Sequence, residues 1–136
     1  MATRSRIGYK LENGKVESVY CHFDGYPDHN GVILLKNYST IEKIKELIKL
    51  GDLSCLCSEI GEKHDFDDHK KDWCKFYGRD REESDVGAII SYSEEDFLKI
   101  GEAYNYLFKN NQWFYRGYET KDKLLPLIDW EKHNQE

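Results

Sequence analysis

Apolar and polar positions alternate with a period of two through residues 5–11 and 15–23, and Glu12-Asn13-Gly14 separates the two runs. Such alternation around a short turn reads as a β-hairpin. The loop length decides which side chains share a face. A three-residue loop with Gly14 left-handed sets Leu11 against Lys15, Ile7 against Val19 and Ser5 against Cys21. Ile7, Tyr9, Val19, Cys21 and Phe23 then face a core, while Arg4, Arg6, Tyr20 and His22 share the other face. A two-residue loop would mix apolar and polar residues on both faces, so the three-residue register is preferred.

The period then changes. Asp24 to Asn30 reads as a turn holding Gly25 and Pro27, and residues 31–38 suit a short helix. Ile41, Ile44, Leu47 and Ile48 recur at helical spacing behind the capping-box pattern Ser39-Thr40-Ile41-Glu42, and Gly51 is a fitting stop, so a helix is predicted over 40–50. Residues 52–60 are ambiguous, and 62–72 read as an exposed acidic loop. Strands are predicted over 73–78 and 86–92, with a charged turn over 79–85 between them. Ser93 opens a helix predicted to run to Ala103, and its acids lie at the positive end of the helix dipole. Residues 104–108 and 113–118 flank Lys109-Asn110-Asn111-Gln112 as a second hairpin. A short helix interrupted at Pro126 is predicted over 120–130, and the tail is predicted to fray.

The predicted order implies one α+β domain over residues 1–136. Its simplest assembly is an antiparallel sheet built from the N-terminal and C-terminal hairpins, with two or three helices packed on one face.

Composition narrows the function. Apolar residues make up 39%, enough for a packed core, and no apolar run approaches a membrane span. The N-terminus shows no apolar stretch of a signal peptide, so a cytoplasmic location is expected. A net charge of −6 argues against direct nucleic-acid binding. Five of the 20 basic residues are arginines: Arg4, Arg6, Arg79, Arg81 and Arg116. In a lysine-rich chain, arginine in or beside strands points to positions where a planar fork of donors matters.

Four chemistries compete for these residues. Cys55, Cys57, His64, His69 and Cys74 are of metal-ligand type, yet Cys-x-Cys spacing is less typical of zinc than Cys-x-x-Cys, so no metal is the expectation and a small zinc-binding protein is the further alternative. His22 and Asp24 could form a base and its orienting carboxylate, but no nucleophile has a catalytic context and Cys21 faces away from His22. No enzyme, and no cofactor, is therefore expected. The acidic runs Asp65-Phe66-Asp67-Asp68, Glu82-Glu83-Ser84-Asp85 and Glu94-Glu95-Asp96 could instead meet a basic partner protein as a nucleic-acid mimic. The preferred reading is a small anionic, nucleotide-like ligand: Arg4 and Arg6 clamp phosphate, Tyr20 and Tyr26 stack, and His22 and Asp24 orient. Arg79, Arg81 and Arg116 are secondary candidates, contributed across a subunit interface if the chain forms a homo-oligomer.

Met1-Ala2-Thr3-Arg4-Ser5-Arg6-Ile7-Gly8, Tyr20-Cys21-His22-Phe23-Asp24-Gly25-Tyr26-Pro27 and Gly51-Asp52-Leu53-Ser54 resemble an uncharacterised family of small proteins encoded by bacteriophages and prophages. The Tyr104 to Tyr115 hairpin is similar too. The resemblance implies an accessory role in a host cytoplasm, with counter-defence as its expected setting. In that setting the ligand is a host-immunity signal that the protein sequesters, or the partner is a host defence protein.

Overall fold

Arg6 lies opposite Tyr20 and Ile7 opposite Val19 in the first hairpin of the computed structural model, which describes residues 2–68 and 72–133. Strands β1 (Ser5–Lys10) and β2 (Val16–Cys21) thus pair in the register of the three-residue loop. The Leu11 amide donates to the Lys15 carbonyl at 2.8 Å, and Gly14 takes φ +89°, a backbone region that penalises any Cβ. Ile7, Tyr9, Val19 and Cys21 are buried as the alternation predicts. Phe23 is not: it is 45% exposed, because β2 ends at Cys21 and the alternation no longer governs it.

A π-type turn at Pro27–Gly31 runs into α1 (Val32–Asn37), and α2 (Ile41–Lys49) follows. The α2 cap is Thr40, whose Oγ1 accepts from the Lys43 amide, one residue later than the Ser39–Glu42 box predicts. Then come β3 (Leu53–Cys55), β4 (Lys75–Phe76), α3 (Tyr77–Arg81), β5 (Ile89–Ser91) and α4 (Glu94–Leu98). The C-terminal part holds β6 (Tyr104–Lys109), β7 (Gln112–Arg116), β8 (Leu125–Pro126) and α5 (Trp130–His133). The second hairpin is present, but its turn is two residues and not four: Asn110 and Asn111 both adopt positive φ, Lys109 pairs with Gln112, and β7 ends at Arg116.

Two expectations are corrected. First, the sheet is mixed. Its order is β4-β3-β2-β1-β6-β7-β8, with β5 paired to the first half of β2, and the two hairpins join through a parallel β1–β6 ladder. β2 returns the chain to the end of the sheet where β1 begins, and residues 22–103 then lead to the start of β6 at that same end. Ile7 thereby sits beside Tyr106, and Tyr9 beside Phe108. Second, helices cover both faces, and the described residues form five α-helical segments. Leu34 and Tyr38 of the α1 region and Ile44, Leu47 and Ile48 of α2 pack on Ile7, Val19, Tyr106 and Tyr115. Phe97 of α4 packs with Val16 and Leu107, which point to the opposite face. Apolar side chains on both sides of β6 require cover on both sides, so all its residues but Lys109 are buried.

Shorter elements also differ. The predicted strand over 73–78 keeps only Lys75–Phe76, and the charged turn that follows contains α3, because the Asp80 carboxylate accepts from the Phe76 amide at 2.9 Å and bends the chain into a helical turn. The helix behind Ser93 ends at Leu98 instead of Ala103. The segment 120–130 holds β8 and a 3₁₀ turn at Leu127–Asp129 in place of one interrupted helix. Among the described residues, no helix is long and apolar enough to cross a membrane.

Candidate functional site

Arg4 and Arg116, 112 residues apart in sequence, line one open cleft of about 680 Å³. The parallel ladder brings them together. The Arg4 carbonyl accepts from the Tyr104 amide at 3.3 Å where β1 and β6 begin, and Arg116 ends β7, opposite Asn105. Glu102, Tyr118, Lys121 and Asp122 complete the charged and aromatic lining. The Arg4 side chain is exposed and has no ion pair or hydrogen bond among the described residues.

Arg116 is positioned from behind. Its Nη2 donates to Oδ1 of the fully buried Asn105 at 2.8 Å, while Asn105 Nδ2 donates to the Phe97 carbonyl at 3.3 Å. Its Nη1 donates to Asp122 Oδ1 at 3.1 Å, and the Asp122 side chain is 90% exposed. Arg116 Nε is buried with no hydrogen-bond partner among the described residues. A buried donor without an acceptor is costly, and an incoming acceptor relieves that cost.

The cleft rim is rigid on the β7 side. A Cβ on Gly117 would lie 2.2 Å from two atoms of the Tyr104 ring, so only glycine permits this approach. The Gly117 amide donates to Thr120 Oγ1 at 3.1 Å, and the Thr120 hydroxyl donates back to the Gly117 carbonyl. The Tyr104 hydroxyl donates to Glu119, and burial together with that carboxylate raises the Tyr104 pKa. Tyr118 stands edge-on to Tyr104 at 5.5 Å and remains 77% exposed.

Arg6, expected beside Arg4 as a phosphate clamp, is 7% exposed and committed to the fold. Its Nε donates to Ser18 Oγ at 2.9 Å and its Nη2 to the Ser18 carbonyl at 3.4 Å. Burial lowers its pKa, partly offset by Asp52 and Glu102. The alternation placed Arg6 on the correct face; α4 and the segment behind it then covered that face. Tyr20 lies between: Arg4 and Glu102 both act on its hydroxyl, whose pKa burial raises. That hydroxyl is 2.6 Å from His22 Nδ1, and the Tyr20 amide donates to Asp52.

Asp24 and Tyr26 belong to a separate loop. The Tyr26 hydroxyl donates to Asp24 Oδ1 at 3.0 Å, and Asp24 has φ +57°. The Tyr106 hydroxyl donates to the Gly25 carbonyl at 2.6 Å, and the Gly25 amide to the Thr3 carbonyl at 2.8 Å. None of Tyr20, His22, Asp24 or Tyr26 lines the cleft.

Arg79 and Arg81 make their contacts within their own region, and Arg81 is exposed. Arg79 donates to the Asp80 carboxylate and to the carbonyls of Ile60, Gly61 and Cys74. Arg81 pairs with Glu83 and lies 4.5 Å from the Phe66 ring, which stacks on Tyr77. Among the acidic runs, Glu94 binds Lys10 at 2.7 Å and Lys109 at 2.8 Å, whereas Glu82 to Asp85 are all exposed.

Of the metal-type residues, His69 lies outside the described residues. His64 packs against Trp73 and Asp80 with its side chain 4% exposed, so part of the predicted exposed loop is folded inward. Cys74 Sγ accepts from the Cys57 amide at 3.2 Å and lies 3.4 Å from the Tyr38 hydroxyl. Among the described residues, no group of three or more His, Cys, Asp or Glu side chains is placed to hold a metal ion.

Sequence reasoning missed Glu102, Tyr118, Lys121 and Asp122. No periodicity links residues near 120 to residue 4. The one local signal is Arg116-Gly117-Tyr118, an arginine and an aromatic around a glycine at a strand end. Comparison with protein-family models, with curated proteins and with solved structures returned no match.

Proposed function

We propose that this protein binds a small anionic, nucleotide-like ligand in the Arg4–Arg116 cleft and acts by sequestering it. The observation that carries this reading is the pairing of two arginine forks across one cleft, one exposed and one pre-oriented by a buried asparagine. Guanidinium forks match phosphate oxygens in geometry and charge. Tyr118 offers an exposed ring for a base. Asp122 serves as a counter-ion that the ligand displaces: its carboxylate sits on Arg116 while most of it faces solvent.

The lining favours holding over turnover. It contains no Ser, Thr, Cys or His beside its arginines, so it offers no hydroxyl–histidine or thiol–histidine pair. The resemblance to small phage-encoded proteins supports a host-immunity nucleotide as the ligand.

A thermal-shift and calorimetry series with nucleoside monophosphates, cyclic nucleotides and inorganic phosphate tests the reading. Ligand at a hundredfold excess over Kd should stabilise the fold by about 3 kcal/mol. Arg4→Ala and Arg116→Ala should each abolish that shift, and Asp122→Asn should raise affinity several-fold by removing the competing carboxylate. If no nucleotide raises the melting temperature, or the Arg4→Ala/Arg116→Ala double variant responds like the parent, the reading fails.

A further inference from the structure

A second recess opens beside the Arg4–Arg116 cleft. It measures about 320 Å³, and Lys121, Lys123, Lys132 and His133 line it together with Glu119. Lys121 also lines the cleft, so the two hollows share one lysine. The turn that carries it is held in the left-handed region at both Lys121, with φ +52°, and Asp122, with φ +67°. Left-handed backbone costs a residue with a side chain roughly 1–2 kcal/mol. Such strain persists only where the surrounding structure fixes the chain. Thr120 fixes it here: its hydroxyl is bonded to both backbone groups of Gly117, and its carbonyl accepts from the Lys123 amide at 3.1 Å.

The recess presents positive charge. The Lys123 side chain is exposed, with no ion pair or hydrogen bond among the described residues. Lys132 pairs loosely with Asp129 at 3.7 Å, and its side chain is 80% exposed. His133 is set by Tyr115. The two rings stack at 5.7 Å and the Tyr115 hydroxyl lies 3.0 Å from His133 Nδ1, which leaves Nε2 as the remaining polar atom of the imidazole. The carboxylate among the lining residues is turned away: Glu119 Oε1 accepts from the Tyr104 hydroxyl, and Oε2 is buried. In a chain of net charge −6, three ammonium groups and an imidazole around one hollow reverse the sign locally. Ammonium groups hold phosphate as point charges on flexible stems, whereas the neighbouring guanidinium forks fix its orientation.

We propose that this recess holds a second phosphate group of the same ligand. One phosphate sits on the Arg4 and Arg116 forks, the other among Lys123, Lys132 and His133, and Lys121 stands between them. Resting on the reading of the Arg4–Arg116 cleft as a nucleotide site, this narrows the ligand to nucleotides that carry a second phosphate. A monophosphate fills the cleft alone and leaves the lysines of the recess to solvent.

Calorimetry on the full chain with paired probes tests it. AMP and GMP are compared with ADP and GDP, and with the bisphosphates that carry a phosphate at each end of the ribose. For at least one base, the second phosphate should tighten binding about tenfold or more, the gain that one charge-assisted hydrogen bond supplies. In Lys123→Ala/Lys132→Ala that ratio should fall to about one, whereas Arg4→Ala should weaken both ligands of each pair. Each variant is read as a ratio of two ligands on the same protein, so a partly unfolded sample leaves the outcome legible. Equal affinities in the parent, or a ratio that survives the double substitution, would overturn the second phosphate subsite while the cleft still binds monophosphate. If none of the probes binds, the cleft reading falls and the subsite falls with it.

Discussion

Asp80→Asn isolates the anchor of the region between β3 and α3. The parent carboxylate is fully buried and accepts from Arg79 Nε at 2.9 Å, Arg79 Nη2 at 3.1 Å, the Phe76 amide at 2.9 Å and the His64 amide at 3.1 Å. Asparagine keeps the shape but turns one acceptor into a donor aimed at other donors. It also leaves the Arg79 charge uncompensated, and Arg79 holds the Ile60, Gly61 and Cys74 carbonyls. One unmet buried donor plus one unpaired buried charge costs about 3 kcal/mol. In a chain of 136 residues that lowers the melting temperature by roughly 10 °C. Burial alone would raise the Asp80 pKa, but Arg79 and the two amides hold it below the usual carboxylate range. Its contribution is therefore complete above the unfolded-state pKa of about 4 and is lost as pH falls through the lowered folded value. Calorimetry across pH should show a constant gap between parent and variant from pH 7 to about 4 that closes in stronger acid. Adding Arg79→Met should recover part of the loss, because it removes the stranded charge. A variant melting within about 2 °C of the parent at pH 7 would refute the reasoning, as would a gap that persists in acid.

Gly117→Ala should destabilise the fold by about 1–3 kcal/mol and weaken cleft binding with it, since the new methyl must push the Tyr104 ring away; equal urea midpoints would contradict this. Arg6→Met should lower stability by about 1–2 kcal/mol yet leave nucleotide affinity per folded molecule unchanged, measured by calorimetry, because Arg6 serves Ser18 and not the cleft. Glu94→Gln should cost about 0.5–1 kcal/mol in low salt and less in high salt, since partly exposed ion pairs to Lys10 and Lys109 are screened. Burial opposes the Glu94 charge but the two lysines win and lower its pKa, so this contribution too should fade as pH drops below about 4 in denaturant titrations.

The sequence by itself determined the two hairpins and α2. The alternation around Glu12-Asn13-Gly14 settles the first hairpin's register, because a slip of one residue turns every core side chain outward. The Ile41–Leu47–Ile48 spacing settles α2, and the polar Lys109–Gln112 stretch between two aromatic runs marks the second hairpin. These choices are made by side chains within a few residues of one another. Only the tertiary structure decided that β1 and β6 run parallel, that α4 covers the second face, and which arginines remain free. Arg4 and Arg6 sit two residues apart on one face, yet one is exposed beside a cleft and the other is buried beneath the segment that includes Glu102. The difference comes from chain some hundred residues away. Arg116 reaches Arg4 only because the β1–β6 ladder joins the two hairpins. Periodicity reports which face a residue takes within its own element. It carries no information about which distant element will cover that face, and here the cover decides which arginines line the cleft.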